Sequence, residues 1–305
     1  MKLKRVMLHA GFDMQYTLVG LAVVQPVSYD TYMIIKLRTV LVRKRSKYQN
    51  IEIVELPEYG RALVLDGLVQ STEIDEHIYH ESLVHPAMIT HPEPRDVLII
   101  GGGEGATLRE ALKHNTVQEA VMVDIDEDVV NLSKEYLKNH HQGAFNDKRA
   151  KVIIEDGKKF IEKTDKKFDI IILDLTDPYA SEPAQDLYTE QFYQKVYEKL
   201  RDDGIMVTQA GSSFYYEQTY EKVLNSIKKV FPIIKEYNVW IPSFGYACNF
   251  IIGSKKYNPE KLTAEEVEQR LSSRGVKTKF YSGRTHIALM NLPVYRKSLG
   301  AYTTS

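Results

Sequence analysis

The sequence predicts an α/β fold: a doubly wound, mostly parallel sheet preceded by a small antiparallel β domain. Three observations carry that reading. From Asp96 onward, short apolar runs alternate with amphipathic segments, as strands do with crossover helices. The first run, Val97 to Ile100, ends in a glycine cluster (Gly101, Gly102, Gly103, Gly105) that opens the first amphipathic segment. Upstream, the chain is rich in β-type runs separated by turn signals. The expected division is a β-rich N-terminal domain over residues 1–80 and a larger α/β domain over residues 81–305.

The chain has 305 residues, 43% of them hydrophobic, and a formal net charge of −1, enough for one large or two modest globular domains. Near-neutral charge without a basic block gives no electrostatic footprint for nucleic acid. The single cysteine, Cys248, excludes an internal disulfide and a cysteine zinc cluster, and it agrees with a reducing cytoplasm. No apolar run approaches the ~20 residues that cross a bilayer, so no membrane partner is expected. Met1–Arg5 followed by Thr17–Val24 has the outline of a signal peptide, but the apolar run starts late and Gln25-Pro26 is a poor cleavage site. A strand is expected there instead.

In chain order, Tyr32–Lys36, Thr39–Arg43, Gln49–Glu55 and Arg61–Leu65 read as strands, and Leu65-Asp66-Gly67-Leu68 is a hairpin signal. Exposed strands of this domain are a plausible oligomer surface. The polar stretch Gln70–Glu81 leads into a helix that runs to about Ile89 and stops before His91-Pro92. His77, His80, Glu81 and His85 crowd it, but the spacing from His80-Glu81 to His85 does not put both imidazoles on one helical face, as a zinc-protease pattern requires. A polar rim over a ligand pocket is the better expectation. Helices follow at Glu127–Leu137, Lys158–Lys163, Leu187–Leu200 and Glu217–Phe231. Strands are expected at Ala120–Val123, Ala150–Ile154, Phe168–Leu173, Gly204–Gln209, Ile233–Trp240 and Asn249–Ile252.

In an open parallel sheet, ligands bind at the carboxyl ends of the strands. Those ends carry Gly101 to Gly105, Asp124, Asp156-Gly157, Asp174 to Asp177 and Gln209 to Gly211. Strand, glycine turn, helix and second strand ending in Asp124 is a Rossmann-like nucleoside site, the acid accepting from ribose hydroxyls. Glu104 sits inside the glycine loop, where it would repel a pyrophosphate, which disfavours an NAD-dependent oxidoreductase. Ile99 is apolar where S-adenosylmethionine methyltransferases of this fold type usually carry an acid. The loop suits a nucleoside with a cationic tail and no acid group. Helix capping is the alternative explanation for these acids, Glu104 included, though it accounts less easily for Asp174 and Asp177 bracketing a strand exit. The segment Thr176–Asp186, with two prolines, is placed to cover the site.

GGGEGATLREALKH, DGLVQSTEIDEHIYHE, DIDEDVV, EDG, LDLTDP and VTQAG together resemble the polyamine aminopropyltransferases, the spermidine synthase family, between about residues 45 and 255. Glu104, and Leu175-Thr176 between two aspartates, look closer to the thermospermine-synthase branch than to members with GGGDGG and DSSDP. The resemblance implies decarboxylated S-adenosylmethionine as co-substrate donor, a di- or polyamine acceptor, 5′-methylthioadenosine as product, and neither cofactor nor metal. It also implies a homodimer or homotetramer built through the N-terminal domain. On matching positions, Gln49 and His80 would hold the donor's tail, with Glu104 against its ammonium. The loop glycines Gly101 and Gly103 would lie against the donor, Asp124 would take its ribose, and Asp156 and Gly157 its adenine. Tyr79, Asp174 and Asp177 would position the attacking amine, with Gln70 lining its channel. Phe244 stands where the family usually has tyrosine; if that hydroxyl contacts an amine, Tyr246 or water must replace it.

Decarboxylation removes the donor's only anion, so Glu104 would attract its ammonium, a contact worth up to about 4 kcal/mol before desolvation at an effective dielectric near 20. The sulfonium is already a good leaving group, so positioning should supply most of the catalysis. The attacking amine, with a pKa of about 10, must lose a proton, and an ordinary aspartate is about 6 units too acidic to keep it. Asp174 can act as base only if burial or a like charge such as Asp177 raises its pKa, or if it relays the proton to water. A non-catalytic polyamine-binding protein would need the same acids and stays open at this point.

Overall fold

A computed structural model describes residues 21–179 and 186–298. The chain opens with a hairpin of β1 (Ala22–Pro26) and β2 (Tyr32–Lys36). The strand expected at Thr17–Val24 falls partly outside the described residues; the part inside them continues through Gln25 and Pro26. A four-stranded antiparallel sheet follows, β3 (Thr39–Arg45), β4 (Asn50–Leu56), β5 (Gly60–Leu65) and β6 (Leu68–Thr72), in that spatial order. Asp66 and Gly67 turn β5 into β6 with φ of 48° and 84°, and left-handed φ at both central positions is what a two-residue hairpin of matching twist demands. Residues two apart share a face, and β4 uses both faces. Ile51 and Ile53 pack with Val129 and Leu137 of the larger domain, while Val54 and Leu56 pack with Ile35 of the hairpin. The small sheet is therefore clamped between its hairpin and the main domain.

Helix α1 (Glu76–Thr90) leads into the main sheet, so residue 80 lies inside its second turn. It is almost entirely buried and has no polar face, and it tolerates Pro86 in its interior. The main sheet has strands β7 (Asp96–Gly101), β8 (Glu119–Asp124), β9 (Ala150–Ile154), β10 (Phe168–Asp174), β11 (Leu200–Gln209), β12 (Ile233–Ile241) and β13 (Tyr246–Ser254). Their order is β12-β13-β11-β10-β7-β8-β9; the run from β11 to β9 is parallel, and β13 lies antiparallel to both its neighbours.

Central strands buried on both faces must be apolar throughout, which explains the unbroken runs in β7 and β10. Ile99, Ile170 and Ile172 face the core built on α1 and α2 (Ala106–Leu112). Leu98, Ile100, Ile171 and Leu173 face the opposite core, built on α5 (Gly157–Lys163), α6 (Glu190–Lys199) and α7 (Glu217–Lys228). The remaining helices before α5 are α3 (Glu127–Tyr136) and the single turn α4 (Lys138–His141).

Two differences from the sequence reading have local causes. The helix expected over Leu187–Leu200 is divided: a 3-10 turn covers Asp186–Tyr188, and Thr189 then caps α6 by accepting from Phe192 N. Beyond Ile252, where no element was expected, β13 runs on to Ser254 and two helices follow, α8 (Ala264–Ser273) and α9 (Gly283–Asn291). Their start signals were present. Thr263 and Glu266 form a reciprocal capping box, and Ser282 caps α9.

Candidate active site

Strand order reverses between β7 and β10, and a cavity of about 450 Å³ opens at their carboxyl ends, under β5 and β6 of the small sheet. Among the described residues its walls carry six carboxylates, Glu104, Asp124, Asp156, Asp174, Asp177 and Asp186, and one basic side chain, Lys158. Gln49, Gln70, Tyr79, Gly101, Gly103, Gly157 and Phe244 complete the set the sequence pointed to, all in the same wall. His80 is the exception: it lies behind Glu104, 1% exposed, not in the wall.

The glycine loop is built for close approach. Gly101 has φ of +84°, and a β-carbon there would come 2.0 Å from the Asp174 carbonyl oxygen, which accepts from Gly102 N. At Gly103 a β-carbon would meet Asp124 Oδ2 at 2.7 Å. The loop thus packs directly on the two aspartates at the strand ends, and only glycine permits it.

Glu104 does not cap α2. The cap position is Gly105, without a side-chain bond, and Glu104 Oε1 instead accepts from His80 Nε2 at 2.6 Å. His80 Nδ1 donates to Glu76 Oε2 at 2.8 Å, so both ring nitrogens are engaged. Beyond Glu76 the hydrogen-bonded chain continues through Arg109 to Glu110 and then His85 and His114, all buried. The Gln70–Glu81 stretch is therefore not a polar rim. Of its polar groups only Gln70 and Tyr79 reach the cavity, Ser71, Thr72, Asp75, Glu76, His80 and Glu81 are buried, and Glu81 accepts from the backbone N–H groups of Lys279, Phe280 and Tyr281. His80, Glu104 and Asp174 each bring one potential ligand atom within 4.8 Å of the others, and both His80 ring nitrogens are hydrogen-bonded to carboxylates, Nε2 to Glu104 and Nδ1 to Glu76.

Burial alone would strip the proton from His80; Glu104 and Glu76 outweigh it and raise its pKa to about 10. Burial would likewise raise Glu104, but the His80 imidazolium holds it below the usual carboxylate range. The strand-end aspartates behave oppositely. Burial, with like charges from Asp126 and Glu104, raises Asp124 to about 7, and burial plus the Glu104 charge raises Asp174 to about 6. Asp177 is raised by burial. The like charge acting on Asp174 is thus Glu104, not Asp177 as expected from sequence proximity.

The remaining positions divide by what holds them. Asp156 caps α5 with Oδ1, accepting from Lys158 N and Lys159 N, while its side chain also lines the cavity. Asp124 accepts from Asp126 N at 2.8 Å, and Asp126 caps α3 while accepting from Ser46 and from Gln49 Nε2 at 3.0 Å. Gln49 is thereby fixed to the main domain. Gln70 donates to the Leu68 carbonyl. Asp174 Oδ1 accepts from Tyr79 Oη at 2.8 Å. Phe244 packs edge-on against Tyr79, and Tyr246, whose ring lies 5.6 Å from that of Phe244, donates to Asp177 Oδ2 at 3.1 Å. Sequence reading missed Thr107, bonded to Asp174, and the stacked pair Tyr179 and Tyr216 in the cavity wall, with ring centroids 3.6 Å apart. Neither carries a local signature. Residues 180–185 of the expected cover segment lie outside the described residues; Tyr179 and Asp186, on either side, line the cavity.

A family model for the spermine/spermidine synthase domain matches residues 76–263, and one for the spermidine synthase tetramerisation domain matches residues 29–73. The likeness therefore begins earlier than about residue 45. The chain is 61% identical over 282 residues to a polyamine aminopropyltransferase of Pyrobaculum aerophilum, covering 92% of this chain and 97% of that one. It is 54% identical over 256 residues to polyamine aminopropyltransferase 1 of Hyperthermus butylicus, covering 83% and 88%. A crystal structure of spermidine synthase in complex with the transition state analogue AdoDATO superposes with a TM-score of 0.84 at 34% identity, covering 90% of this chain and 92% of that one. Spermidine synthase from Thermotoga maritima gives a TM-score of 0.82 at 32% identity, with the same coverage. The chain belongs to the spermidine synthase family and is an aminopropyl-transferring enzyme of polyamine biosynthesis.

Proposed function

We propose that the enzyme moves the aminopropyl group of decarboxylated S-adenosylmethionine onto an amine of a di- or polyamine and releases 5′-methylthioadenosine. The observation that carries this reading is the cavity's charge: six carboxylates against one lysine, at strand ends where a phosphate-bearing ligand would be repelled. The transition state analogue in the similar spermidine synthase supports it. The amine nitrogen attacks the aminopropyl carbon beside the sulfonium, the carbon–sulfur bond breaks, its electron pair neutralises sulfur, and the amine gives up a proton.

Asp124 takes the donor ribose; Asp156 and Gly157 take the adenine, with Gly101, Gly103 and Gln49 around the nucleoside and tail. Glu104 receives the aminopropyl ammonium, and His80 serves it from behind by fixing the carboxylate. Asp174, with Tyr79, orients the attacking amine and receives its proton; Asp177, with Tyr246, holds the acceptor beside Phe244 and Gln70. A pKa of about 6 for Asp174 narrows the gap to an amine near 10 to about 4 units, so onward transfer to water completes the step. The reading assigns no metal or organic cofactor, and a chelator should leave the rate unchanged. It takes the cytoplasm as the compartment, a homodimer or homotetramer through the N-terminal domain as the assembly, and spermidine (toward thermospermine) alongside putrescine as candidate acceptors.

The test is release of methylthioadenosine with putrescine, agmatine, norspermidine and spermidine each offered as acceptor. Release with any of them, abolished by Asp174→Asn, supports the reading and identifies the acceptor. No release, with tight binding of ordinary S-adenosylmethionine, would replace it with methyl transfer.

A further inference from the structure

Asp174 has a hydroxyl donor on each carboxylate oxygen. Tyr79 Oη donates to Oδ1, and Thr107 Oγ1 donates to Oδ2 at 2.5 Å. Thr107 is fully buried in the first turn of α2 and does not line the cavity. A helical threonine commonly turns its hydroxyl back to a carbonyl one turn earlier. Here the hydroxyl reaches a carboxylate 67 residues away in sequence. Gly102 makes the room: a β-carbon there would stand 2.9 Å from Asp174 Oδ2 and 3.5 Å from Thr107 Cβ.

We propose that Thr107 is a positioning residue for Asp174: its hydroxyl holds Oδ2 in place and favours the ionised carboxylate that receives the substrate amine. The inference rests on the assignment of Asp174 as the amine-orienting group. A carboxylate oxygen accepts about two hydrogen bonds. One hydroxyl on each oxygen fixes the plane of the group and leaves an acceptor position on each for the amine N–H. A donor to the charged form also favours that form.

The other groups facing Asp174 come from several elements. Glu104 of the glycine loop raises its pKa, as burial does, whereas His80 of α1 lowers it together with the Thr107 and Tyr79 hydroxyls. Asp124 at the end of β8, Tyr188 before α6 and Cys248 on β13 feel the Asp174 charge in turn. Asp177 follows three residues after it. Within this set Thr107 does not titrate in the working range and does not touch the cavity, so replacing it alters Asp174 while leaving the ligand-facing wall intact.

Thr107→Val keeps the shape and removes the donor; Thr107→Ser keeps the donor. The measurement is the pH profile of kcat/KM for methylthioadenosine release. The acid limb, expected near pH 6 in the unaltered enzyme from the raised pKa of Asp174, should move up by about one unit in the valine variant and return in the serine variant, the size expected for one hydrogen bond to a charged group. A valine variant whose limb is unmoved, or whose rate drops equally at every pH, overturns the proposal. Should valine prevent folding, Thr107→Ala removes the same donor and is read the same way. Carbon-13 titration of the Asp174 carboxyl, assigned by its loss in Asp174→Asn, reports the shift without turnover. An unaltered enzyme that releases no methylthioadenosine would sink the aminopropyl-transfer assignment while the titration still decides the role of Thr107.

Discussion

Glu104 and Asp174 share one cavity yet have their pKa values shifted in opposite directions, and the partners behind each explain why. Glu104 has an imidazolium at 2.6 Å and stays ionised; Asp174 has only neutral hydroxyls bonded to it and a like charge nearby. Activity should therefore fall as pH drops through about 6, where Asp174 takes up its proton and can no longer receive one from the amine. The pH profile of kcat/KM checks this, and an acid limb near 4 would contradict it. Glu104→Gln removes the charge but not the shape. It should reduce the preference for the decarboxylated donor over ordinary S-adenosylmethionine by about 10-fold or more, the size of one charge-assisted contact. Competition binding of the two nucleosides reads this directly.

At the scale of the elements, the site depends on the β7–α2 connection lying flat against the end of β10. Gly101→Ala adds a β-carbon at 2.0 Å from a backbone oxygen and asks alanine to hold a φ of +84°. Loss of about 3 kcal/mol or more in chemical denaturation is expected, because neither strand can retreat from the centre of the sheet. Helices α1 and α2 are joined by the buried series of Glu76, Arg109, Glu110 and His85 rather than by apolar contacts alone. Removing one member of such a set strands a charge in the interior. Glu110→Gln should cost about 3 kcal/mol, with a concurrent loss of donor binding as His80 and Glu104 loosen; a stability within 0.5 kcal/mol of the unaltered protein would argue that the series is incidental.

Across the whole molecule these groups set the pH range of stability. His80, raised to about 10 from 6.5, contributes stability that is complete below its unfolded value and is lost as pH rises through 10. Glu76, lowered to about 2 from 4.5 by His80 and Arg109 against the effect of burial, contributes stability present above 4.5 and lost as pH falls through 2. Asp124, raised by burial from 3.8 to about 7, has the opposite sign, since its ionisation costs stability as pH climbs through that window. Asp124→Asn should accordingly raise Tm, with the gain over the unaltered protein larger at pH 8 than at pH 4; a gain independent of pH would refute the linkage. At the N-terminal domain, Leu21, Val24, Tyr29, Tyr32 and Ile34 leave between 50% and 81% of their surface exposed, on or beside a hairpin whose segment matches in part a tetramerisation domain. Ile34→Glu should lower the mass seen by light scattering to that of a smaller assembly.

The order of strands and helices, the glycine loop and the acids at the strand ends were legible because each follows from local rules: apolar periodicity, turn chemistry and the placement of ligands at strand carboxyl ends. Asp66-Gly67 specifies its own turn, and Gly101 to Gly105 specify a close approach whatever lies opposite. The sequence by itself therefore determined the fold class and the acidic character of the site. What only the tertiary structure decided is which groups meet. Thr107 and Asp174, or His80 and Glu104, sit on different elements, and their meeting depends on how α1 and α2 pack on the β7–β10 edge. Asp156 and Asp174 look alike in sequence and both line the cavity, yet one caps a helix and the other is buried with its proton affinity raised. Burial and Coulomb energy are properties of distance in space, so a carboxylate's charge state at a given pH belongs to the assembled protein and not to its position in the chain.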